Sequence, residues 1–198
     1  VDRYGVDRQC RRALGDGVTD PESVWVALSA MLEGLDDGHT YVFDPDTGRG
    51  FSPARDEDWA DQILAFREVP RRLGLVQIEG TGLEYTILDG NIGYVFLRHM
   101  GTDPGLGTTE AELATLGFQQ VADALSGTRA IILDNRLNPG GSDTVSLAYA
   151  GFFAAEPYTA FTKETRNRDG YTSPFAGLVT GSDRALSQPV YLLNSKYT

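Results

Sequence analysis

The segment that most restricts the fold runs Ala130-Ile131-Ile132-Leu133-Asp134-Asn135-Arg136-Leu137-Asn138-Pro139-Gly140-Gly141, with a helical stretch from Thr144 to Ala154 directly behind it. A continuous apolar run, Ala130 to Leu133, suits a strand covered on both faces, the usual setting of a parallel strand between layers. The paired glycines then allow a strand-to-helix turn too tight for residues bearing a Cβ. Upstream, Ile92 to Leu97 reads as a mostly apolar strand. Thr109 and Glu112 form a capping box opening a helix whose apolar face is Leu113, Leu116, Val121, Ala124 and Leu125. Tyr158 to Thr165 is a candidate strand, and Pro189 to Leu193 reads as a short strand of the buried type. Strand, helix, strand, glycine turn, helix, strand is a βαβ-type order. It predicts an α/β (α+β) domain with a mainly parallel or mixed sheet and covering helices.

Ahead of this core, Thr19-Asp20-Pro21-Glu22 predicts a helix start, with the hydroxyl of a capping box and a proline in the first turn. Val24, Leu28, Met31, Leu32 and Leu35 give that helix one apolar face. It should end near Gly34 to Gly38, leaving Asp37-Gly38-His39-Thr40 on the turn into a short strand, Tyr41 to Phe43. Residues 44–72 are rich in Pro, Gly and charge. Leu73 to Glu79 and Leu83 to Leu88 then alternate as two strands around Gly80-Thr81-Gly82, a hairpin signature. The expected organisation is an N-terminal helical segment at 1–43, a surface excursion and hairpin at 44–90, and a core at 91–198.

Composition removes several functions. The chain has 198 residues, 41% hydrophobic and 23% charged, with a net charge of −11. Such an acidic surface disfavours nucleic acid and anionic membranes, which require basic patches. No apolar run approaches the ~20 residues of a spanning helix, so membrane insertion is not expected. The first residue is Val, so the missing leader segment carries no weight. Cys10 is the only cysteine, which rules out an intrachain disulfide.

The glycine turn at Gly140-Gly141 exposes backbone N–H groups at a helix N-terminus, a setting suited to an anion or a developing oxyanion. Taken alone, it is more simply read as a plain tight turn. It lacks the Gly-Lys-Ser/Thr of a phosphate loop and the spaced glycines of a dinucleotide fingerprint. His39 and His99 are the only histidines. His39, on a turn, is either a general base or a hydrogen-bonded structural residue; His99 is read as structural. With no paired carboxylate spacing, no metal centre or cofactor is expected. There is no Gly-x-Ser-x-Gly elbow. Ser142 is read as a helix N-cap, and the adjacent Ser195 and Lys196 diverge too much for a dyad.

Four segments together resemble the S41 serine peptidases, which include tail-specific (C-terminal processing) proteases, the tricorn core and interphotoreceptor retinoid-binding modules. They are Leu35-Asp36-Asp37-Gly38-His39-Thr40, Asn91-Ile92-Gly93-Tyr94-Val95, the Asp134-x-Arg136-x-Asn138-x-Gly140-Gly141 block, and Pro189-Val190-Tyr191-Leu192-Leu193-Asn194 with Thr198. The third is the specific one and matches at every fixed position. The resemblance implies a crotonase- or ClpP-like αββ core. Between Tyr41 and Gly90 there is too little chain for a complete PDZ domain. It also implies Gly140 and Gly141 as oxyanion donors, supported by Asp134, Arg136 and Asn138. The base would be His39, as in tricorn-like members, or a Lys further along. The nucleophile would lie beyond Thr198, so the 198-residue chain by itself is expected to be inactive. Substrates would be peptides or proteins, the location extracytoplasmic, and homo-oligomerisation is left open. The alternative on the same fold is a non-catalytic module for a small apolar ligand or peptide.

Overall fold

The computed structural model describes residues 12, 15, 20–35, 40–53, 64, 67–68, 70–103 and 107–195. Two compact units divide the chain, Val1–Ala60 and Asp61–Thr198.

In the first unit, helix α1 (Pro21–Glu33) is capped by Asp20, whose carboxylate accepts the Ser23 N–H at 3.0 Å. The cap is therefore Asp20, not the Thr19–Glu22 box suggested by spacing. Thr19 lies outside the described residues, and Glu22 is paired instead with Arg49 at 2.5 Å. Pro21 begins the helix, where its missing N–H costs nothing, and α1 closes at Gly34 as expected. Strands β1 (Val42–Asp44) and β2 (Arg49–Phe51) form an antiparallel hairpin. Asp44 ties its turn together, accepting from Thr47 Oγ1 at 2.6 Å and from the Asp46 N–H at 3.0 Å. The Arg49 guanidinium also stands 4.5 Å from the Trp25 ring centroid, so one side chain joins hairpin to helix.

The second unit contains β3 (Val76–Gln77), β4 (Thr81–Leu88), β5 (Ile92–Thr102), helix α2 (Glu110–Leu125), β6 (Ala130–Asp134) and helix α3 (Asp143–Gly151). After them come β7 (Tyr158–Lys163), β8 (Arg166–Asn167), β9 (Gly170–Tyr171), β10 (Phe175–Val179) and β11 (Val190–Leu193). The main sheet has the order β11-β6-β5-β4-β3. β5, β6 and β11 run parallel, whereas β3, β4 and β5 are antiparallel neighbours. The architecture is the mixed α/β (α+β) class expected from the element order. The hairpin before β5 is not a separate outcrop: β3 and β4 extend the same sheet. β7 pairs with β10, and β8 with β9, as small antiparallel ribbons.

Thr109 and Glu112 make the reciprocal capping box at the start of α2. The helix then lays Ala114, Phe118, Val121, Ala122 and Leu125 into the core. Phe118 is fully buried, and its ring centroid stands 5.2 Å from that of Tyr149, 5.1 Å from Phe152 and 5.4 Å from Phe153. That cluster fastens α2 to α3. Burying each large apolar side chain contributes about 1.5–3 kcal/mol, and Leu83, Val95, Leu125, Ile131 and Val145 are also completely enclosed. β6, one strand in from the edge, contributes Ile131 to this core.

One strand differs from its sequence reading. β11 was expected to be buried, yet Val190, Tyr191 and Leu192 are 40%, 61% and 54% exposed. Its apolar composition resembles that of a central strand, but among the described residues it lies at the sheet edge and pairs with β6 alone. No helix among the described residues is long and apolar enough to cross a membrane.

Candidate functional site

β6 delivers Asp134 to the end of the sheet, where it is 1% exposed. Its Oδ2 accepts the Tyr94 hydroxyl at 2.5 Å and Arg136 Nη2 at 2.6 Å. Its Oδ1 accepts Arg136 Nε at 2.9 Å and the Arg136 backbone N–H at 3.1 Å. Burial pushes the Asp134 carboxyl up, but the bonds from Arg136 and Tyr94 outweigh it and hold the group below its ordinary range. Tyr94 is driven well above the usual tyrosine range, by burial first and then by its bond to Asp134. The Arg136 guanidinium is raised chiefly by its bond to Asp134. Asp134 is therefore a charged, satisfied anchor that fixes where the chain leaves β6.

The turn that follows is built around Asn138, 4% exposed. Its N–H donates to Asn135 O at 3.1 Å, and its Oδ1 accepts the Gly140 N–H at 2.8 Å. Asn138 Nδ2 is buried and has no partner among the described residues. The two glycines are required for different reasons. Gly140 has φ +99° with open space where a Cβ would stand, so its demand is conformational. Gly141 has φ +145°, and a Cβ there would come 2.1 Å from Met100 O. Its demand is close approach as well as backbone shape.

That approach is a parallel bridge between Met100 and Gly141. The Met100 N–H donates to Gly140 O at 2.9 Å, and the Ser142 N–H donates to Met100 O at 2.6 Å. In this register the N–H and C=O of Gly141 itself face away from β5. Among the described residues no hydrogen bond engages the Gly141 N–H, whereas the Gly140 N–H is held by Asn138. Helix α3 starts immediately afterwards and adds the partial positive charge of its N-terminus.

Ser142 occupies the N-cap position of α3, but its side chain makes no cap bond. Its hydroxyl instead donates to Glu110 Oε2 at 2.8 Å, tying the starts of α2 and α3 together. On the other side of the turn, the Asn135 N–H donates to Leu193 O at 2.9 Å and Ser195 Oγ donates to Arg136 O at 2.9 Å. The chain leaving β11 thus runs beside Asn135 and Arg136.

Next to this turn opens a cleft of about 270 Å³, lined by Met100, Leu133, Asn135, Ser146, Tyr149 and Leu192 among others. A second cleft of about 230 Å³, bounded by Asp123, Ser126, Arg184 and Gln188, holds none of the motif residues.

Asp134, Arg136, Asn138, Gly140 and Gly141 thus come together in one turn. His39 lies outside the described residues, with Asp36, Asp37 and Gly38, as do Lys196 and Thr198. His99 is half-buried on β5 beside Gly82 and Gly101, its imidazole lowered by burial and then by the Arg98 charge. Tyr94 and Met100 were assigned no role from sequence. Tyr94 stood within the Ile-Gly-Tyr strand, but its contact with Asp134 spans 40 positions. Among the described residues, no group of three or more His, Cys, Asp or Glu side chains is placed to hold a metal ion.

No protein-family model matches the chain, and no curated protein matches it. Its fold recurs in the crystal structure of a "putative peptidase" from Parabacteroides merdae, with a TM-score of 0.68 and 22% identity over 100% of this chain and 60% of that one. The chain therefore spans about three fifths of that neighbour's length. At this identity the likeness establishes the fold alone. A photosystem II D1 C-terminal processing protease also aligns, covering 98% of this chain and 68% of that one, but at 11% identity and a TM-score of 0.40 it carries no argument.

Proposed function

We propose that the protein is a serine peptidase of the S41 type, cleaving peptide bonds through an acyl-enzyme. A serine carried by the segment that follows β11 attacks the peptide carbonyl carbon and passes its proton to a base, either His39 or a Lys further along. The carbonyl oxygen, now negative, accepts from the Gly141 N–H. Collapse of the tetrahedral intermediate expels the amine, which takes the proton from the base. Water then releases the acyl group by the same route. Gly140 shapes the turn, and its N–H becomes a second donor only on release from Asn138. Tyr94, Asp134 and Arg136 keep the strand end in place.

One observation carries this reading. Among the described residues the Gly141 N–H has no partner, on a turn stitched to β5 through Met100 at the start of α3. A donor fixed on an exposed turn and aimed away from the sheet is useful for an oxyanion, because no reorganisation is needed when charge develops. Whole-ligand binding by a non-catalytic module fits less well, since the cleft of about 270 Å³ falls below the roughly 300–1,000 Å³ usual for such sites.

The test is reaction of the intact gene product with a fluorophosphonate, followed by mass mapping of the adduct. A single modified serine in the segment following β11 is expected, with labelling lost in His39→Ala if that histidine is the base. Absence of any adduct, or an adduct confined to Ser142, would exclude the mechanism.

A further inference from the structure

The apolar cleft beside the glycine turn is built from the same residues that hold the turn. Met100 is bonded through its backbone to Gly140 and Ser142, and its side chain lines the cleft. Asn135 follows Asp134 at the end of β6, and Ser146 stands in the first turns of α3. The cleft and the glycine turn thus share Met100. We propose that the cleft receives the substrate side chain on the acyl side of the cleaved bond, and that it selects a medium-to-large apolar residue. The inference rests on the peptidase reading above.

Three properties set that selectivity. First, none of the lining residues carries a formal charge, although the chain as a whole has a net charge of −11. An Asp or Lys side chain would be desolvated there without a partner, which is strongly unfavourable. Second, the volume suits one side chain. A cavity of about 150 Å³ holds a benzene molecule, so about 270 Å³ accepts a Leu, Met or Phe side chain with some freedom. Glycine or alanine would leave most of it unfilled. Third, one lining residue, Asn135, bears a buried polar atom, Oδ1, that has no partner among the described residues. Asn135 Oδ1 is an acceptor lacking a donor, and a peptide entering with its side chain in the cleft brings backbone N–H groups. A purely hydrocarbon ligand brings none. The occupant these features describe is an apolar residue of a peptide, not a lipid.

The experiment measures kcat/KM of the intact protein on peptides differing only in the residue before the cleaved bond: Gly, Ala, Leu, Phe, Asp and Lys. Leu and Phe should exceed Asp and Lys by about 100-fold or more, in line with what one well-matched pocket achieves. Ser146→Leu, which fills the cleft from α3, should lower the Phe-to-Ala ratio by about 10-fold or more. Leu192→Lys, at a half-exposed position on the rim that tolerates charge, should raise cleavage after Asp relative to Leu. Cleavage indifferent to this residue, or ratios unchanged in both variants, would overturn the pocket and leave the peptidase reading intact. Failure to cleave any peptide, with no phosphonate adduct, would overturn both.

Discussion

A Cβ placed on Gly141 would stand 2.1 Å from the Met100 carbonyl oxygen, whereas one placed on Gly140 would meet nothing within 4 Å. The two glycines therefore predict different costs. Gly140→Ala should lose about 1–2 kcal/mol, the penalty of a left-handed backbone for an L-residue. Gly141→Ala must also separate the turn from β5, break the Met100 bridge, and lose about 3 kcal/mol or more. Urea midpoints at constant m-value measure both. Equal losses would mean that the close approach to Met100 is not a constraint.

Removing the Tyr94 hydroxyl tests the anchor beneath the turn. Tyr94→Phe leaves the buried Asp134 carboxylate one donor short and should cost about 1.5–3 kcal/mol, the range for a hydrogen bond to a charged group. Because the folded carboxyl is lowered, its stabilisation is complete above the ordinary Asp value near 4 and is lost as pH falls through the folded value. Taking away one lowering bond raises that folded value. The acid unfolding midpoint of Tyr94→Phe should therefore lie at higher pH than that of the wild type, followed by circular dichroism.

The alkaline side has the opposite sign. Tyr94 is raised, and Tyr149 is pushed up to about 12 by burial, so both phenols favour the folded state while protonated. Their contribution is full below the unfolded tyrosine value near 10 and disappears as pH rises through the folded values. Stability should therefore fall above about pH 10. Tyr94→Phe, already weaker at neutral pH, should show a shallower further loss there.

Ser142 separates a cap position from a cap bond. A serine whose side chain caps its helix loses about 1 kcal/mol on conversion to Ala. Here the exposed hydroxyl reaches Glu110 instead, so Ser142→Ala should cost under about 0.5 kcal/mol. A loss near 1 kcal/mol in thermal or urea unfolding would show that the side chain caps α3 in solution.

Local rules made the scaffold readable. The Thr109–Glu112 box, the apolar run at Ala130 to Leu133 and the glycine pair each involve neighbours within a few residues, where spacing alone implies geometry. What was not readable depends on partners far along the chain. The Tyr94–Asp134 bond joins adjacent strands across 40 positions, and the Ser142–Glu110 bond crosses 32. β11 misled because Val190 to Leu193 has the composition of an enclosed strand, and composition does not record whether a strand has a neighbour on each side. At Asp20, a carboxylate one residue from the favoured threonine took the cap, a choice that spacing cannot make. In the candidate site the motif residues were legible as a set. The division of labour between Gly140, bound to Asn138, and Gly141, without a partner among the described residues, was not.

The most direct test of the oxyanion assignment follows the Gly141 amide proton by NMR in the intact, 15N-labelled protein as a peptide boronic acid forms its tetrahedral adduct. A large downfield shift of the Gly141 N–H is expected, with a smaller change at Gly140, whose N–H stays with Asn138. A bound boronate that leaves the Gly141 resonance where it was would contradict the assignment.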